Sequence, residues 1–551
     1  MSAPTGSPPV PPHISPGPKS SRLRKACTTL LEHVKKHAGV GIVCAVAYFD
    51  PGNWGVDLQA GSLYGYRLLF VVLLAGLFAV FLQVLGSRLG CVTGLDLASH
   101  TRLLLYNRPR HTRLFRWLAL YPLYVLSEVA IMATDLAELL GSAIALCLLF
   151  PKLQLWQGVL LTATDVILIL AMGDPLRGRP VRMFELLIAA MVLAVFICMA
   201  IIISKIDIDA GNVFQGFLPS KYVFASGGLY TSIGIIGATV MPHSLFIGSA
   251  LATQDRIDCR PIKSDDDLPL SLTSTTNSEV RILVSPSRFC LFRRRLKTSL
   301  INVFRAPPKS LYATRATRHN EHENNPLSFV RAHIYHGIVD VVICLLGFAV
   351  LINSLILILA SAVFYYGNND LGDRNPASLF DAYELIKNIV GKPAATLFAV
   401  ALLASGQSSS FIATVAGQAV SEGFIQWRTS PVIRRLATRL LAIVPSVVVA
   451  IAVGKQGINS LLIISQVILS LVLPFITLPL LYCTSSKMIM RVRKCNEGEE
   501  TVREGGDVEN ADQWVDYSNG KVTIFIGILI WLIVVGANGY VLISLMLGNG
   551  A

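Results

Sequence analysis

Eleven apolar stretches run through this chain, most of them long enough for an α-helix to cross a bilayer, which takes about twenty residues. Of its 551 residues, 53% are hydrophobic and only 15% are charged, which is too apolar for a soluble globular protein of this length. These features predict an all-α polytopic membrane protein with about eleven transmembrane helices. The predicted spans are 39–62, 68–90, 117–148, 155–172, 183–204, 226–252, 336–365, 393–422, 438–453, 458–483 and 521–547.

Arginine and lysine collect in every second connection between these spans, which accounts for the net charge of +13 without a nucleic-acid partner. Basic connections stay in the cytosol during membrane insertion, so the pattern predicts a cytosolic N-terminus. The odd-numbered connections contain fewer cations, and the largest carries Asp370, Asp373, Asp381 and Glu384. The cations that define the pattern include Arg88, Arg102, Arg108, Arg177, Arg179, Arg293, Arg434, Arg435, Arg491 and Arg493.

Two polar segments lie outside the predicted spans. Residues 1–37 are rich in proline, serine and basic residues and lack the apolar core of a signal peptide, so we expect a disordered cytosolic tail. Residues 253–333 are predicted to form a long, disordered cytosolic loop between helices 1–6, at 38–252, and helices 7–11, at 334–547. Regulatory partners are expected at the tail and at this loop.

The cysteines, most of which lie inside apolar stretches, and one histidine-containing cluster are interpreted as structural or solvated. The ten cysteines are scattered and form no CxxC pair, which favours core packing over a disulfide framework or a zinc module. One cluster in the predicted loop combines imidazoles with carboxylates, and we interpret it as a solvated segment rather than a metal site. Its members are His319, Glu321, His322 and Glu323.

Two of the predicted spans are interrupted by proline and polar residues near their middle. The first contains Tyr48-Phe49-Asp50-Pro51-Gly52-Asn53-Trp54, and the sixth contains Gly237-Ala238-Thr239-Val240-Met241-Pro242-His243. Unpaired backbone survives in a bilayer only where it is buried in protein or lines a wet cavity, so an ordinary soluble turn does not fit. Paired interruptions five spans apart are typical of secondary transporters with a midplane site. They predict a broken-helix (LeuT-like) inverted repeat of helices 1–5 and 6–10, plus one extra helix.

The two interruptions carry ligands of mixed hardness. Asp50 offers a carboxylate, Asn53 an amide oxygen, the unwound backbone near Tyr48 and Ala238 carbonyl oxygens, and Met241 a thioether. Oxygen ligands alone suit magnesium and calcium equally well, whereas a sulfur favours softer ions such as manganese or iron, with cadmium as a passenger. Methionine ordinarily fills gaps in a core. Its position directly before a helix-breaking proline favours the ligand role here.

Four ordered motifs resemble the signatures of the NRAMP (natural resistance-associated macrophage protein) family of divalent-metal transporters. They are Asp50-Pro51-Gly52-Asn53, Met241-Pro242-His243, the stretch 404–424, and Gln466 within Ser465-Gln466-Val467-Ile468-Leu469-Ser470. The resemblance covers about residues 38–547 apart from the long loop, and it extends to eukaryotic members, fungal ones among them. It implies the broken-helix fold. The metal ligands that it implies are Asp50, Asn53, the Ala238 carbonyl and Met241, with Gln466 joining in some conformations.

Carboxylates within the third span offer a route for protons. Glu128, Asp135 and Glu138 are spaced at i, i+7 and i+10, which places them on one face of a helix. A charge at membrane depth faces a cavity or a partner, so a structural pair with Arg439 is the alternative to a proton relay. The resemblance implies proton handling at Asp135 and Glu138, and His243 is a nearby group that titrates near neutral pH.

One position departs from the family pattern. The family often places a second histidine after the span-six motif, whereas this chain has Gly248 there, which argues against a proton role at that position. Asp50 belongs to the coupling residues as well as to the ligands, because a carboxylate loses its proton when it binds a metal. Glu128, Arg439 and Tyr48 are expected to support the pathway.

These features predict a proton-coupled secondary transporter that carries manganese or iron into the cytosol, in the plasma membrane or an endosomal or vacuolar membrane. Two alternatives remain open, a metal-responsive membrane receptor and a sodium-coupled small-solute carrier of the same architecture. An enzyme is not predicted, because the sequence has no nucleotide loop, catalytic-triad spacing or zinc-type cluster. The expected partners are divalent metal ions, protons and the lipid bilayer, with no cofactor and no nucleic acid.

Overall fold

The structure is a computed structural model that describes residues 39–162, 182–225, 227–256, 316–367, 377–427, 430–494 and 514–547. The predicted tail and most of the predicted loop, as well as Arg177, Arg179, Arg293, Asp370 and Asp373, lie outside the described residues. The helices are α1 (Val40–Val46), α2 (Pro51–Tyr64), α3 (Leu69–Thr93), α4 (Leu97–Leu105), α5 (Thr112–Phe115), α6 (Tyr121–Leu149), α7 (Leu155–Thr162), α8 (Arg182–Ile203), α9 (Ala210–Gly216), α10 (Gly228–Thr239), α11 (Pro242–Leu251), α12 (Leu327–Cys344), α13 (Leu351–Ala360), α14 (Leu379–Ile389), α15 (Lys392–Ile425), α16 (Pro431–Ala452), α17 (Gly454–Ser485) and α18 (Lys521–Met546).

Shorter elements complete the described chain. Three 3-10 turns lie at Gly65–Leu68, Lys221–Phe224 and His319–Glu321, and π-helical turns extend α6 at Arg116–Leu120 and join α12 to α13 at Leu345–Val350. A further π-helical turn at Ser361–Tyr365 follows α13. A two-stranded antiparallel sheet pairs β1 (Arg491–Arg493) with β2 (Trp514–Asp516).

Eight helical segments of the described chain are long and apolar enough to cross a membrane. The first joins two predicted spans through the 3-10 turn at Gly65–Leu68. The prediction of an all-α multi-pass protein is confirmed, while the number eleven stays a prediction, because the predicted span at 155–172 continues into residues that are not described. The eight segments are Pro51–Thr93, Thr112–Leu149, Phe184–Ile203, Gly228–Leu251, Leu327–Tyr365, Lys392–Ile425, Gly457–Ser485 and Lys521–Ser544.

The predicted interruption of the first span is present. α1 ends at Val46 and α2 begins at Pro51, and between them Asp50 adopts an extended backbone with φ −64° and ψ 170°. The Asp50 carboxylate caps α2 by accepting the backbone N–H of Asn53 at 2.9 Å. Proline suits the first helical position, where an N–H would lack an intrahelical partner, so this sequence starts a new half-helix.

The second predicted interruption has the same design. α10 ends at Thr239, Met241 is extended with φ −74° and ψ 123°, and α11 begins at Pro242. Each interruption therefore places an extended residue directly before a proline that starts the next half-helix. The prediction of paired broken helices is confirmed by these bounds.

The first half-helix after the interruption is enclosed by other helices. α2 packs against α6, α10, α13 and α17, and most of its residues are buried although its sequence contains three carboxyl or amide side chains. The approach of α6 is close, because a Cβ at Gly141 would collide with the ring of Pro51. Such enclosure keeps the polar residues of α2 away from lipid.

The connection before α12 is more ordered than expected. α12 begins at Leu327, inside the segment 253–333 that was predicted to be a loop, and His319–Glu321 forms a 3-10 turn ahead of it. The segment between β2 and α18 is tied to α3, because Arg88 donates from Nη1 to the Oδ1 of Asn519 at 3.0 Å. The described end of the long connection packs onto the end of α3, where the backbone N–H of Asn325 donates to the carbonyl of Val92 at 3.1 Å.

Gly90 and Gly86 lie one turn apart on α3, and both approach α11. A Cβ at Gly90 would collide with the carbonyl oxygen of Ser249, whereas a Cβ at Gly86 would lie 3.5 Å from that of Leu245. We expect Gly90→Ala to destabilise the protein by about 1–3 kcal/mol, because the α11 backbone must move. Gly86→Ala is the matched control. Thermal unfolding in detergent measures the difference, and equal melting temperatures would contradict this packing.

Candidate metal-ion site

The two helix interruptions lie against each other. The Tyr48 hydroxyl, two residues before Asp50, donates to the Oε1 of Gln83 at 3.0 Å and lies 2.7 Å from the Oγ of Ser244. The Ser244 hydroxyl in turn donates to the carbonyl oxygen of Met241 at 2.7 Å. These hydrogen bonds bring the residues around Asp50 and Met241 into one buried region.

Three buried side chains of this region present an oxygen that no group in the described chain hydrogen-bonds. They are Asp50 through Oδ2, Asn53 through Oδ1 and Gln466 through Oε1, and each residue is at most 1% exposed. A buried polar group left unpaired costs about 1–3 kcal/mol. Because all three atoms are acceptors, the group that would satisfy them together is a cation.

The second interruption adds a carbonyl oxygen and a thioether. Pro242 has no N–H to donate to the carbonyl four residues earlier, which belongs to Ala238. Met241 is fully buried and extended directly before this proline. Oxygen and sulfur donors from both half-helices are therefore buried together, which suits a first-row divalent ion better than a hard ion such as magnesium.

Gln466 reaches the interruptions from α17. A Cβ at Gly52 would collide with the Gln466 side-chain amide, and a Cβ at Gly237 would collide with its backbone carbonyl. The amide is oriented by donating from Nε2 to the Oγ of Ser465 at 3.1 Å. Gln466 thus lies between α2 and α10, which supports its predicted role as a ligand.

The Tyr48 carbonyl, one of the expected backbone donors, is not available to a metal in this structure. It accepts from the Nδ2 of Asn53 at 3.0 Å and from the Nδ2 of Asn353 at 2.7 Å. Two donors occupy the two lone pairs of one carbonyl oxygen, so this structure does not support the Tyr48 carbonyl as a ligand. The same bonds fix the Asn53 amide with its nitrogen engaged and its oxygen free.

Two further polar residues were not singled out from the sequence. Asn353 on α13 has an unpaired Oδ1, and Asp57, two turns after Asp50 on α2, has an unpaired Oδ2 within the described chain. Both residues are at most 2% exposed. Each leaves a sequence signal, because Asn353 is an amide inside an apolar span and Asp57 falls at i+7 from Asp50. They enlarge the set of acceptors around the first interruption.

Serines of the 404–424 motif connect the first interruption to α6. The Ser405 hydroxyl donates to the carbonyl of Phe49 at 2.6 Å, which satisfies backbone exposed by the interruption. The Ser409 hydroxyl donates to the Oε1 of Glu138 at 2.5 Å, while Oε2 has no partner in the described chain. The motif therefore contacts both the first interruption and a carboxylate predicted to handle protons.

The other two carboxylates of α6 are paired with arginines of α16. Asp135 lies 3.4 Å from Arg439, and Glu128 lies 2.5 Å from Arg434. Arg439 also donates to the Oγ of Ser410 at 2.9 Å. The predicted structural pair of Asp135 with Arg439 is thus present, and it does not exclude proton transfer through the same carboxylate.

His243 and position 248 differ in their capacity to hold a proton. The Nδ1 of His243 lies 3.3 Å from the Oγ of Thr134, whose own proton goes to the Ala130 carbonyl at 3.0 Å. The hydrogen therefore sits on Nδ1, and Nε2 is left without a partner in the described chain. A Cβ at Gly248 would collide with the amide nitrogen of Gln83, so Gln83 fills the space beside this glycine.

Two broken helices with buried, unpaired oxygens at their interruptions are typical of a secondary transporter. The model of the family described as "Natural resistance-associated macrophage protein-like" matches residues 41–278 and 307–502. The chain belongs to this NRAMP family, whose members are metal transporters and not enzymes. The family resemblance drawn from the four motifs is confirmed.

Individual relatives agree with the family assignment. The chain is 39% identical to the manganese transporter pdt1 of Schizosaccharomyces pombe, over 96% of this chain and 88% of the relative. It is 36% identical to the iron transporter SMF3 of Saccharomyces cerevisiae, over 94% of this chain and 98% of the relative. A crystal structure of the manganese transporter of Eremococcus coleocola superposes with a TM-score of 0.66 at 30% identity, covering 94% of this chain and 87% of that one.

Gly52 provides a test of Gln466 as a ligand. We expect Gly52→Ala to weaken manganese binding by about tenfold, or about 1.4 kcal/mol, because the new methyl group displaces the Gln466 amide. Gln466→Ala should have a similar effect, and the double variant should be little weaker than either single one. Isothermal titration calorimetry measures the affinities.

Gly55→Ala is the matched control. A Cβ at Gly55 would meet the apolar side chain of Leu462, which lies on α17 as Gln466 does. It should leave manganese affinity within experimental error of the wild type. Additive losses in the Gly52→Ala, Gln466→Ala double variant would contradict a shared role of the two positions.

Proposed function

We propose that this protein is a proton-coupled transporter that moves manganese or iron into the cytosol by alternating access, with cadmium as a competing passenger. The observation that carries the proposal is the set of buried, unpaired oxygens at the two helix interruptions, beside the thioether of Met241. The relatives named as manganese and iron transporters support this cargo. The ion is the transported substrate, so no resident cofactor is needed.

The chemistry of the ligands explains how binding is both selective and reversible. Asp50 is the one charged ligand, and Asn53, Gln466 and the Ala238 carbonyl are neutral oxygens. With a single carboxylate among its direct ligands, the site binds a divalent ion without trapping it, as release to the cytosol requires. The thioether of Met241 adds affinity for softer ions and none for calcium or magnesium, which prefer oxygen.

The proton route in this proposal runs from Asp50 along α6. Pro51 packs against Gly141, three residues from Glu138, so the first interruption and this carboxylate are on adjacent surfaces. Glu138 has a free Oε2 within the described chain, which is a place for a proton released when Asp50 binds a cation. Asp135, one turn earlier, is the next acceptor along the same face.

A narrow cavity borders Asp135 and supports the part of this route beyond Glu138. It is lined in part by Thr414, Gln418, Arg434 and Thr438, which are polar side chains able to order water. Arg434 and Arg439 flank the route and hold Glu128 and Asp135 in place.

Direction and topology in the proposal follow from charge. With the N-terminus in the cytosol, an inside-negative potential contributes roughly 2.3 kcal/mol per charge per 100 mV and draws both metal and proton inward. The same direction serves the plasma membrane or an acidic endosomal or vacuolar membrane. The tail at 1–37 and the loop within 253–333 are the proposed places for regulatory partners.

Met241 provides the test of metal selectivity. We expect Met241→Ala to retain part of its manganese uptake and to gain calcium as an effective competitor, because removal of the thioether leaves an all-oxygen site. Radiotracer manganese uptake into proteoliposomes at acidic outside pH, with calcium or magnesium in competition, measures this change. Asp50→Ala should abolish uptake and serves as the inactive reference.

Two results would count against the proposed cargo. Unchanged competition by calcium in Met241→Ala would remove the thioether from the site. Wild-type uptake no greater than that of empty vesicles would reject a transporter and favour the metal-responsive receptor.

Glu138 provides the test of coupling. Glu138→Gln keeps the size of the side chain and the hydrogen bond from Ser409 but removes the acceptor for a proton. We expect manganese affinity within about threefold of the wild type, since the metal ligands are intact, and loss of metal-driven acidification inside the vesicles. Calorimetry and an enclosed pH-sensitive dye measure the two quantities. Acidification at the wild-type rate in Glu138→Gln would exclude this residue from the route.

A further inference from the structure

Three metal-ligating side chains lie close together away from the transport site, near the connection between α3 and α4. They are His100 on α4, His319 in the 3-10 turn before α12, and Cys483 near the end of α17, and one donor atom of each lies within 4.8 Å of the others. His100 and Cys483 are fully buried and His319 is partly buried. The sequence interpretation of His319 as part of a solvated loop is therefore wrong.

The hydrogen bonds around His100 determine which of its nitrogens is free. The Thr93 hydroxyl donates to the carbonyl of Leu89 at 2.7 Å, so at 2.8 Å from the Nε2 of His100 it acts as an acceptor. His100 therefore carries its hydrogen on Nε2, and Nδ1 has a lone pair directed at the Nε2 of His319, 3.0 Å away. A hydrogen bond from the second ring nitrogen is the usual way in which proteins orient a metal-binding histidine.

The segment that carries His319 is fastened to the end of α3. The Nε2 of His322 lies 2.7 Å from the carbonyl of Thr93, and the backbone N–H of Asn325 donates to the carbonyl of Val92 at 3.1 Å. The His100 and His319 rings stack with their centroids 5.2 Å apart and an interplanar angle of 11°. The two imidazoles are thus held in place by several independent contacts.

Burial favours the neutral form of both imidazoles. Burial lowers the pKa of His319 to about 4 and lowers that of His100 well below its usual value, and the neighbouring His322 adds to both effects. Neutral imidazole is the form that binds metal. No proton has to be displaced from either ring, although His319 must move its hydrogen to Nδ1 to offer Nε2.

We propose that His100, His319 and Cys483 form a second, non-transporting site for a divalent ion with affinity for thiolate, of which Zn²⁺ is the best match. Two imidazoles and a thiolate are a zinc ligand set, with bond lengths of about 2.0–2.1 Å for nitrogen and about 2.3 Å for sulfur, which a 3.0 Å separation of the two nitrogens nearly accommodates. Binding converts the Cys483 thiol to a metal-bound thiolate and releases one proton to solvent.

The proposed site differs in kind from the transport site and connects separate parts of the chain. The transport ligands contain a thioether but no thiol, so a metal–thiolate bond distinguishes the proposed site from the transport site. Its three ligands come from α4, from the segment before α12, and from α17, which also carries Gln466. An ion at this site would restrain α17 at one end, and zinc would act as a regulator or structural ion rather than as cargo.

Cobalt is the probe that tests this site, because Co²⁺ takes the place of Zn²⁺ and a thiolate ligand gives it a charge-transfer absorption band in the near ultraviolet. Full-length protein purified in detergent through a tag without histidine is titrated with Co²⁺, and Zn²⁺ is then added. We expect one equivalent of thiolate-bound cobalt that zinc displaces. A wild-type spectrum without this band at saturating cobalt would overturn the proposal.

Variants separate the proposed site from the transport site. Cys483→Ser and His319→Ala should each lose the band, and His319→Ala gives the same information if the buried Cys483→Ser variant fails to fold. Cys91→Ser is the matched control, since Cys91 is a buried cysteine near the end of α3 outside the cluster, and Asp50→Ala removes a transport ligand. Both should keep the band. A band that persists in Cys483→Ser or disappears in Asp50→Ala would overturn the assignment.

Discussion

The proline that opens a half-helix inside a membrane span is the constraint on which this structure depends. It supplies no N–H, so the carbonyl one turn earlier cannot be paired within the helix, and lipid offers no substitute. At Pro242 this carbonyl is that of Ala238, and at Pro51 the neighbouring Phe49 carbonyl is satisfied by Ser405 from a distant helix. The packing of α6, α13, α15 and α17 around α2 follows from the need to enclose this backbone.

In the enclosed region, two buried amides use their nitrogens internally and leave their oxygens free. The side-chain amides of Asn53 and Asn353 both donate to the carbonyl of Tyr48. The oxygens of these two amides stay unpaired within the described chain. Unpaired acceptors each cost about 1–3 kcal/mol, and random packing would not collect them around one carboxylate. A cation that binds there recovers this energy, so the protein is prepared for its substrate before the substrate arrives.

Local features of the chain were predictable and contacts between distant segments were not. Pro51 and Pro242 mark the interruptions because a proline acts on its own helix, and the four motifs identify the family. The pairing of Asn353 with Tyr48, 305 residues apart, depends on how spans pack, which no spacing rule reveals. For the same reason the contact between His100 and His319 could not be predicted, because the sequence does not show that a distant histidine packs against this loop. The predicted start of the seventh span at residue 336 was too late, because α12 begins at Leu327, before its apolar stretch.

The glycine at position 248 shows how the packing narrows the possible proton routes. The space beside it is filled by Gln83, which accepts from the Tyr48 hydroxyl at 3.0 Å and donates to the Sγ of Cys44 at 3.3 Å. An amide does not titrate near neutral pH, and these bonds hold it in a structural role that supports the first interruption. A proton leaving Asp50 therefore finds no titratable group at position 248. Glu138 has an unpaired Oε2 within the described chain, and Pro51 packs against its helix α6 at Gly141, so the proposed coupling route starts at α6.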